Sequence, residues 1–287
     1  MMLSWQILTA ISVLGLSISI ILQRILLHGD KINPYAYAAI FQAMVGALLL
    51  AVAILVGFRL PNIETLLVPV AISSVAYGLG HIMYAKTLQK VEASAFSVYF
   101  ATHAIWMMLF GVTLFGEVLT WWQGAGAIFI FAGVVLLVKR PSKLLSDKGA
   151  LYGLATGVLF GTAITAWAYV GRYTDTLSWA AISFLLPVIV VLLARPKTLK
   201  TIPAILKKRT LMSKLLVLAA FYGIGSLAML YAYNQGALSV ISPLRQTGII
   251  VTTILALMFI SAERHNIQRK IAAALICFAG VVLLLVS

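Results

Sequence analysis

Arg245 makes the strongest chemical demand in this sequence, because it stands between two long uncharged runs, 215 to 244 and 246 to 262. A cation placed inside an apolar helix costs at least ~2.5 kcal/mol on insertion scales, so something must offset it. A carboxylate or phosphate on a bound substrate would do so, with Gln246 orienting the guanidinium or touching the ligand. A long side chain can instead snorkel to the interface or bond carbonyls of a neighbouring helix. Ser74, Tyr77, His81 and Tyr84 follow at spacings of 3, 4 and 3, which sets them along one helical face. Tyr99 and His103 repeat the theme at i, i+4, with Trp106 close by. Histidines surrounded by aromatic rings suit a cavity that grips an organic molecule by stacking and hydrogen bonding. Each of them taken alone also fits a satisfied interhelical histidine or an interfacial aromatic.

The seven carboxylates, Asp30, Glu64, Glu92, Glu117, Asp147, Asp175 and Glu263, all fall at the ends of uncharged runs or between them. That excludes antiport through an intramembrane carboxylate and leaves His81 or His103 as the proton acceptors available within the membrane. No HExxH, GxSxG or GxxxxGK[ST] occurs, and Cys277 is the single cysteine. Neither an enzyme, a cofactor nor a thiolate metal cluster is expected.

The elements that must position these residues are set by composition. Of 287 residues, 62% are hydrophobic and only 10% charged, and the mean hydropathy is +1.06. A soluble domain and a nucleic-acid binder are both excluded, since the latter needs a solvated basic face. Runs free of Asp, Glu, Lys and Arg that reach membrane-spanning length are 1–23, 32–58, 65–85, 93–116, 118–138, 149–171, 176–194, 215–244, 246–262 and 271–287. A turn at Asn234, Gln235 and Gly236 divides the over-long eighth run, so that the ninth span covers about Leu238 to Ile260 and carries Arg245. Spans in lipid must satisfy their own backbone hydrogen bonds, which makes them helices; uniform apolarity without alternation excludes a β-barrel. Gly149, Gly153, Gly157 and Gly161, one every fourth residue, predict a face where two backbones approach closely. Trp167, Tyr169 and Tyr173 read mainly as an interfacial belt, with a place facing the cavity as the alternative for Trp167.

The chain also resembles itself. Phe131 to Leu137 reads FAGVVLL, and the same seven residues return 147 positions later at Phe278 to Leu284. Tyr84-Ala85 matches Tyr231-Ala232, Ser94 and Ser97 match Ser239 and Ser242, and Glu117 matches Glu263, in the same order. The economical reading is an all-α integral membrane protein of ten transmembrane helices, built as two five-helix repeats over residues 1–140 and 149–287. Because five is odd, the second copy is inverted. Loops after odd-numbered spans hold 18 of the 21 Lys and Arg and, less their four carboxylates, carry +14, equal to the net charge of the whole chain. The positive-inside rule then places both termini outside the cytoplasm.

Gly116-Glu117 followed by Gln123, Gly126 and FAGVVLL, together with Ser242-Pro243-Leu244-Arg245, Glu263 and the second FAGVVLL, resemble the ten-helix EamA type of the drug/metabolite transporter superfamily. The resemblance covers essentially the whole chain. It implies cytoplasmic termini, against the charge bias, and a glutamate after the arginine where this chain has Gln246. It also implies a secondary transporter or exporter with a cavity between the repeats. The expected function is movement of a small polar or anionic metabolite, an amino acid or organic acid, across the cell membrane by alternating access, with Arg245, Gln246, His81, His103, Tyr77 and Tyr99 at the site. A flippase for a phosphate-bearing lipid or lipid-linked sugar, and a non-transporting membrane subunit, are the competing functions. Expected partners are the small-molecule substrate, anionic headgroups along the Arg195 to Lys214 loop and, as one option, a second copy in a homodimer.

Overall fold

A computed structural model describes residues 4–28, 32–60, 64–115, 120–137, 147–235, 241 and 244–285. Ten apolar helical segments follow one another. The first three spans are α1 (Trp5–Leu27), α2 (Pro34–Val56) and α3 (Leu67–Lys90), the last preceded by a 3-10 turn at Glu64–Leu66. Span 4 is broken into α4 (Ala93–Ala101) and α5 (His103–Phe115). Spans 5 to 7 are α6 (Trp121–Leu137), α7 (Lys148–Gly171) and α8 (Thr176–Ala194). A short helix, α9 (Ile202–Leu206), leads into span 8, α10 (Arg209–Gln235). Span 9 runs through Leu244–Phe259, with α11 (Gly248–Phe259) as its longer part, and span 10 is α12 (Ile267–Leu285). Eight of the segments are long and apolar enough to cross a bilayer, and the fifth and ninth are shorter apolar helices. No strand occurs among the described residues.

The principal span pairings obey one rule. Span 1 packs on span 8 and span 6 on span 3; span 1 meets span 9 and span 6 meets span 4. Spans 2 and 7, 4 and 9, and 5 and 10 pair with each other. Exchanging each span with the one five places along returns the same set, as a duplicated five-helix unit requires. The repeated heptapeptide lies on this relation. A Cβ on Gly133 would meet Ala273 and Cys277, and one on Gly280 would meet Gly126 and Ile130, the equivalent residues of the other copy. Lipid offers helices no hydrophobic drive to associate, so close backbone approach at small residues holds spans 5 and 10 together.

Helix starts explain three of the five carboxylates among the described residues. Asp147 Oδ1 accepts from the N–H groups of Gly149 and Ala150 at 2.8 and 3.2 Å, and Asp175 Oδ2 accepts from Ser178 N–H at 2.9 Å. Both satisfy donors that a helix N-terminus leaves open. Glu263 does the same for a different span. It is 1% exposed, and its carboxylate accepts from Ala93 N–H at 2.7 Å, Ser94 N–H at 3.2 Å and the Ser94 hydroxyl at 2.9 Å, at the start of α4.

Several helices run past the uncharged stretches, among them spans 1 and 8. Span 1 continues past Gln23 through Arg24, which is buried at 8% exposure with its Nε 3.7 Å from Glu263. Span 8 starts at Arg209, taking Lys214 into its first turns. At span 1 the charge-free run undershoots because a cation with an internal partner is tolerated near a helix end, and at span 8 because Arg209 and Lys214 stay exposed. Asp30, Gly116, Glu117, Gly236, Ser239, Ser242 and Pro243 lie outside the described residues.

Candidate functional site

The site forms where the helices of spans 4 and 9 break. At Thr102 the backbone N–H and the side-chain hydroxyl both donate to Tyr99 O, at 3.2 and 2.7 Å. Thr247 does the same to Leu244 O, at 3.1 and 2.6 Å. A threonine hydroxyl that occupies a carbonyl of the preceding turn competes with the helical ladder. The Thr102 side chain also fills the notch that Gly157 leaves in span 6, where an added Cβ could not be accommodated beside it. The glycine stripe is therefore a close-approach face, as its spacing predicts: Gly153 admits Tyr99, and Gly161 admits Trp106. Broken helices in corresponding positions of two repeats are where transporters of this architecture hold their ligands.

Two cavities meet at the breaks. The larger, of about 110 Å³, is walled by Tyr77, Tyr84, Phe100, Phe160, Trp167, Phe184 and Tyr222, with the Ser183 and Ser226 side chains among them. The smaller, of about 80 Å³, is lined by Ser17, Ser97, His103, Gln246 and Thr252. Arg245, Phe100, Leu16 and Ile20 border both. Arg245 brings the positive charge, and no carboxylate is among the described lining residues of either cavity.

Of the residues that the sequence singles out, Arg245, Gln246, His103 and Tyr77 come together here. His81 lies one layer behind: it is 2% exposed, and its ring contacts Phe41, Tyr77, Tyr84, Phe160 and Tyr222 at centroid distances of 5.1 to 6.3 Å. It buttresses the aromatic wall without lining the space. Tyr99 stands apart, with its ring base seated on Gly153 and its side chain buried among Val98, Ile130 and Val134. Trp167 is a cavity residue, not an interfacial one, because its indole Nε1 donates to the Ser183 hydroxyl at 3.0 Å and turns the ring inward. Tyr169 and Tyr173 stay exposed and pair with each other at 5.3 Å.

Phe160, Phe184 and Tyr222 carry no mark of polarity or spacing that sets them apart. Tyr222 does have a signal of another kind: Tyr77-Gly78-Leu79-Gly80 recurs as Tyr222-Gly223-Ile224-Gly225, 145 positions on. Gly80 receives Phe160 and Gly225 receives Leu16, so the motif marks the same helix crossing in both repeats.

Toward the end where the odd-numbered loops lie, the larger cavity is closed by hydrogen bonds. Tyr37 donates from its hydroxyl to Gln23 Oε1 at 2.8 Å, and Gln23 Nε2 donates to the Tyr84 hydroxyl at 3.1 Å. The neighbouring Arg24 faces Glu263, and Lys270 reaches both the Glu263 carbonyl, at 2.6 Å, and the Glu92 carboxylate. His265 Nε2 lies 2.9 Å from Glu92 on the outer side of this cluster. Spans 1, 2, 3, 4 and 10 and the turn after span 9 are thereby tied together at one end.

Residues 3–139 match the family model described as the EamA-like transporter family. Among solved structures, a crystal structure superposes on 98% of this chain and 97% of its own with a TM-score of 0.67, at 16% sequence identity, a likeness of fold. A comparison with curated proteins finds no match. Over its first five spans this multi-pass membrane protein thus matches the EamA-like transporter family, a family of the drug/metabolite transporter superfamily, and over nearly its whole length it shares the fold of that solved structure.

Proposed function

We propose that the protein moves a small organic anion of the amino acid or organic acid class across the membrane by alternating access. The observation that carries this reading is the position of Arg245, a cation bordering both cavities at a break in span 9, with no carboxylate among the described lining residues. A guanidinium in low dielectric attracts a carboxylate strongly and presents a planar fork to it. The aromatic wall takes the organic body, and the two repeats rock about the pairs formed by spans 2 and 7 and spans 5 and 10. The closed layer of Gln23, Tyr37, Tyr84, Arg24 and Glu263 belongs to the end holding most of the positive charge. By the positive-inside rule that end is cytoplasmic, so this conformation is closed to the cytoplasm and both termini are outside.

Around α9, the Lys197, Lys200, Lys207, Lys208 and Arg209 side chains are exposed, which suits anionic headgroups of the same leaflet. Uptake of labelled amino and organic acids into proteoliposomes tests the main reading. Arg245→Gln is expected to reduce transport at least about tenfold, the loss of one charge-assisted pair. Undiminished transport of the same anion by the Gln variant refutes it.

A further inference from the structure

His103 opens α5 directly after the Thr102 break and is 2% exposed. Its Nδ1 lies 2.7 Å from Phe100 O. A carbonyl only accepts, so Nδ1 carries the hydrogen and the neutral ring keeps a bare lone pair on Nε2. That Nε2 is buried and has no hydrogen-bond partner among the described residues. Two hydroxyls of the same cavity already spend their hydrogens elsewhere: Ser97 donates to Ser94 O at 2.8 Å, and Ser17 to Gly248 O at 3.5 Å. Buried polar atoms without partners are rare in folded proteins, and His103 is a residue of the smaller cavity, where a ligand can supply the missing group. Beside it, Arg245 offers only donors.

We infer that the smaller cavity selects an acid carrying its own hydrogen-bond donor, an amino acid or hydroxy acid, whose N–H or O–H reaches His103 Nε2 while its carboxylate faces Arg245. This rests on the reading of Arg245 above and adds to it a residue that decides between acids. A plain monocarboxylate satisfies Arg245 and leaves Nε2 bare. Sites built to hydrogen-bond a ligand hydroxyl or amine reject the analogue lacking it far more strongly than apolar pockets reject a missing methylene.

Matched acids differing in one group provide the test: alanine, lactate and propionate, and phenylalanine, phenyllactate and 3-phenylpropionate, with affinity read from ligand-dependent thermal stabilisation of purified protein. The better-fitting donor-bearing acid is expected to bind about 10- to 100-fold more tightly than its donor-free analogue. His103→Phe removes the lone pair and keeps a flat ring, and is expected to bring that ratio close to one with the donor-free acid unaffected. His103→Asn, with a carbonyl acceptor, is expected to restore part of it. Equal affinities for matched acids in the unaltered protein overturn the inference, even if neither variant folds. Binding that disappears in Arg245→Gln while the ratio stays near one overturns the role of His103 alone. Binding unchanged in Arg245→Gln, or binding of none of the donor-bearing acids, overturns both readings.

Discussion

Neutralising Glu263 tests the energetics of the closed end. Its carboxylate is 1% exposed and accepts three hydrogen bonds from the first residues of α4, and Arg24 lies 3.7 Å away in surroundings almost as buried. Glu263→Gln keeps the shape but turns one acceptor oxygen into an NH₂ group facing donors. It also leaves Arg24 without its nearest anion. Breaking a buried pair by removing one member costs about 3–5 kcal/mol, and the carboxylate's interaction with a helix N-terminus contributes about 0.3–2 kcal/mol that overlaps with it. Because Gln retains one acceptor and Lys270 holds the Glu263 carbonyl, the lower end applies, and a loss of about 3 kcal/mol is expected. Glu263→Asp keeps the charge one methylene short and should fall between. Reversible unfolding in mixed micelles measures each value. A double-mutant cycle with Arg24→Met isolates the pair, with an expected coupling of about 2 kcal/mol. Stability of Glu263→Gln within about 0.5 kcal/mol of the unaltered protein, or strict additivity in the cycle, would show that the carboxylate is not the tie its geometry describes.

Other perturbations reach the remaining elements. Gly280→Leu forces a side chain against Gly126 O and Ile130 N, both 2.7 Å from the added Cβ, and should cost about 1–3 kcal/mol in the same unfolding assay. Gly157→Ala should destabilise by a similar amount by displacing Thr102, and adding Thr102→Ala should recover most of it, because the conflicting hydroxyl is then gone. Gln23→Leu removes the link between Tyr37 and Tyr84 and should raise labelling of a cysteine placed at Ser226, in the larger cavity, by a water-soluble thiol reagent applied from the odd-loop side, measured in a background with Cys277 replaced. Trp167→Phe frees the Ser183 hydroxyl and should shift the affinity for bulky acids while changing stability by only about 0.6 kcal/mol, the typical size of an interhelical hydrogen bond in a membrane.

How much of this was legible follows from which forces leave a trace in sequence. Lipid solvation does so along whole segments, which is why the ten apolar runs matched the ten helical segments. Backbone approach does so through glycine, and the stripe from Gly149 to Gly161 showed its role in its spacing. Internal partners leave no such trace. Arg24 interrupts an uncharged run yet sits inside span 1, because its counter-charge arrives from Glu263, far away in the chain. Trp167 reads as an interfacial residue until Ser183, on another helix, turns it inward. Tyr99 and His103 share a helical face by spacing, but the break at Thr102 falls between them and sends the two rings to different surroundings.

That break also shows how a duplicated scaffold yields a site that is not duplicated. Thr102 and Thr247 are equivalent at an offset of 145 and make the same two hydrogen bonds, so the backbone event is common to both repeats. The residues around it are not. Before the threonine, span 4 carries Phe100 and Ala101 where span 9 carries Arg245 and Gln246; after it, span 4 carries His103 where span 9 carries Gly248. Span 9 thus brings the donors and the charge, while span 4 brings an aromatic face and an acceptor. A symmetric pair of arginines would put two cations in one small cavity, where their repulsion would have to be met by a doubly charged ligand. A single arginine opposite a single histidine lone pair suits a ligand with one acidic end and one donating end. The repeats therefore supply two breaks from one piece of backbone chemistry, and the divergence of three neighbouring side chains gives the site its polarity.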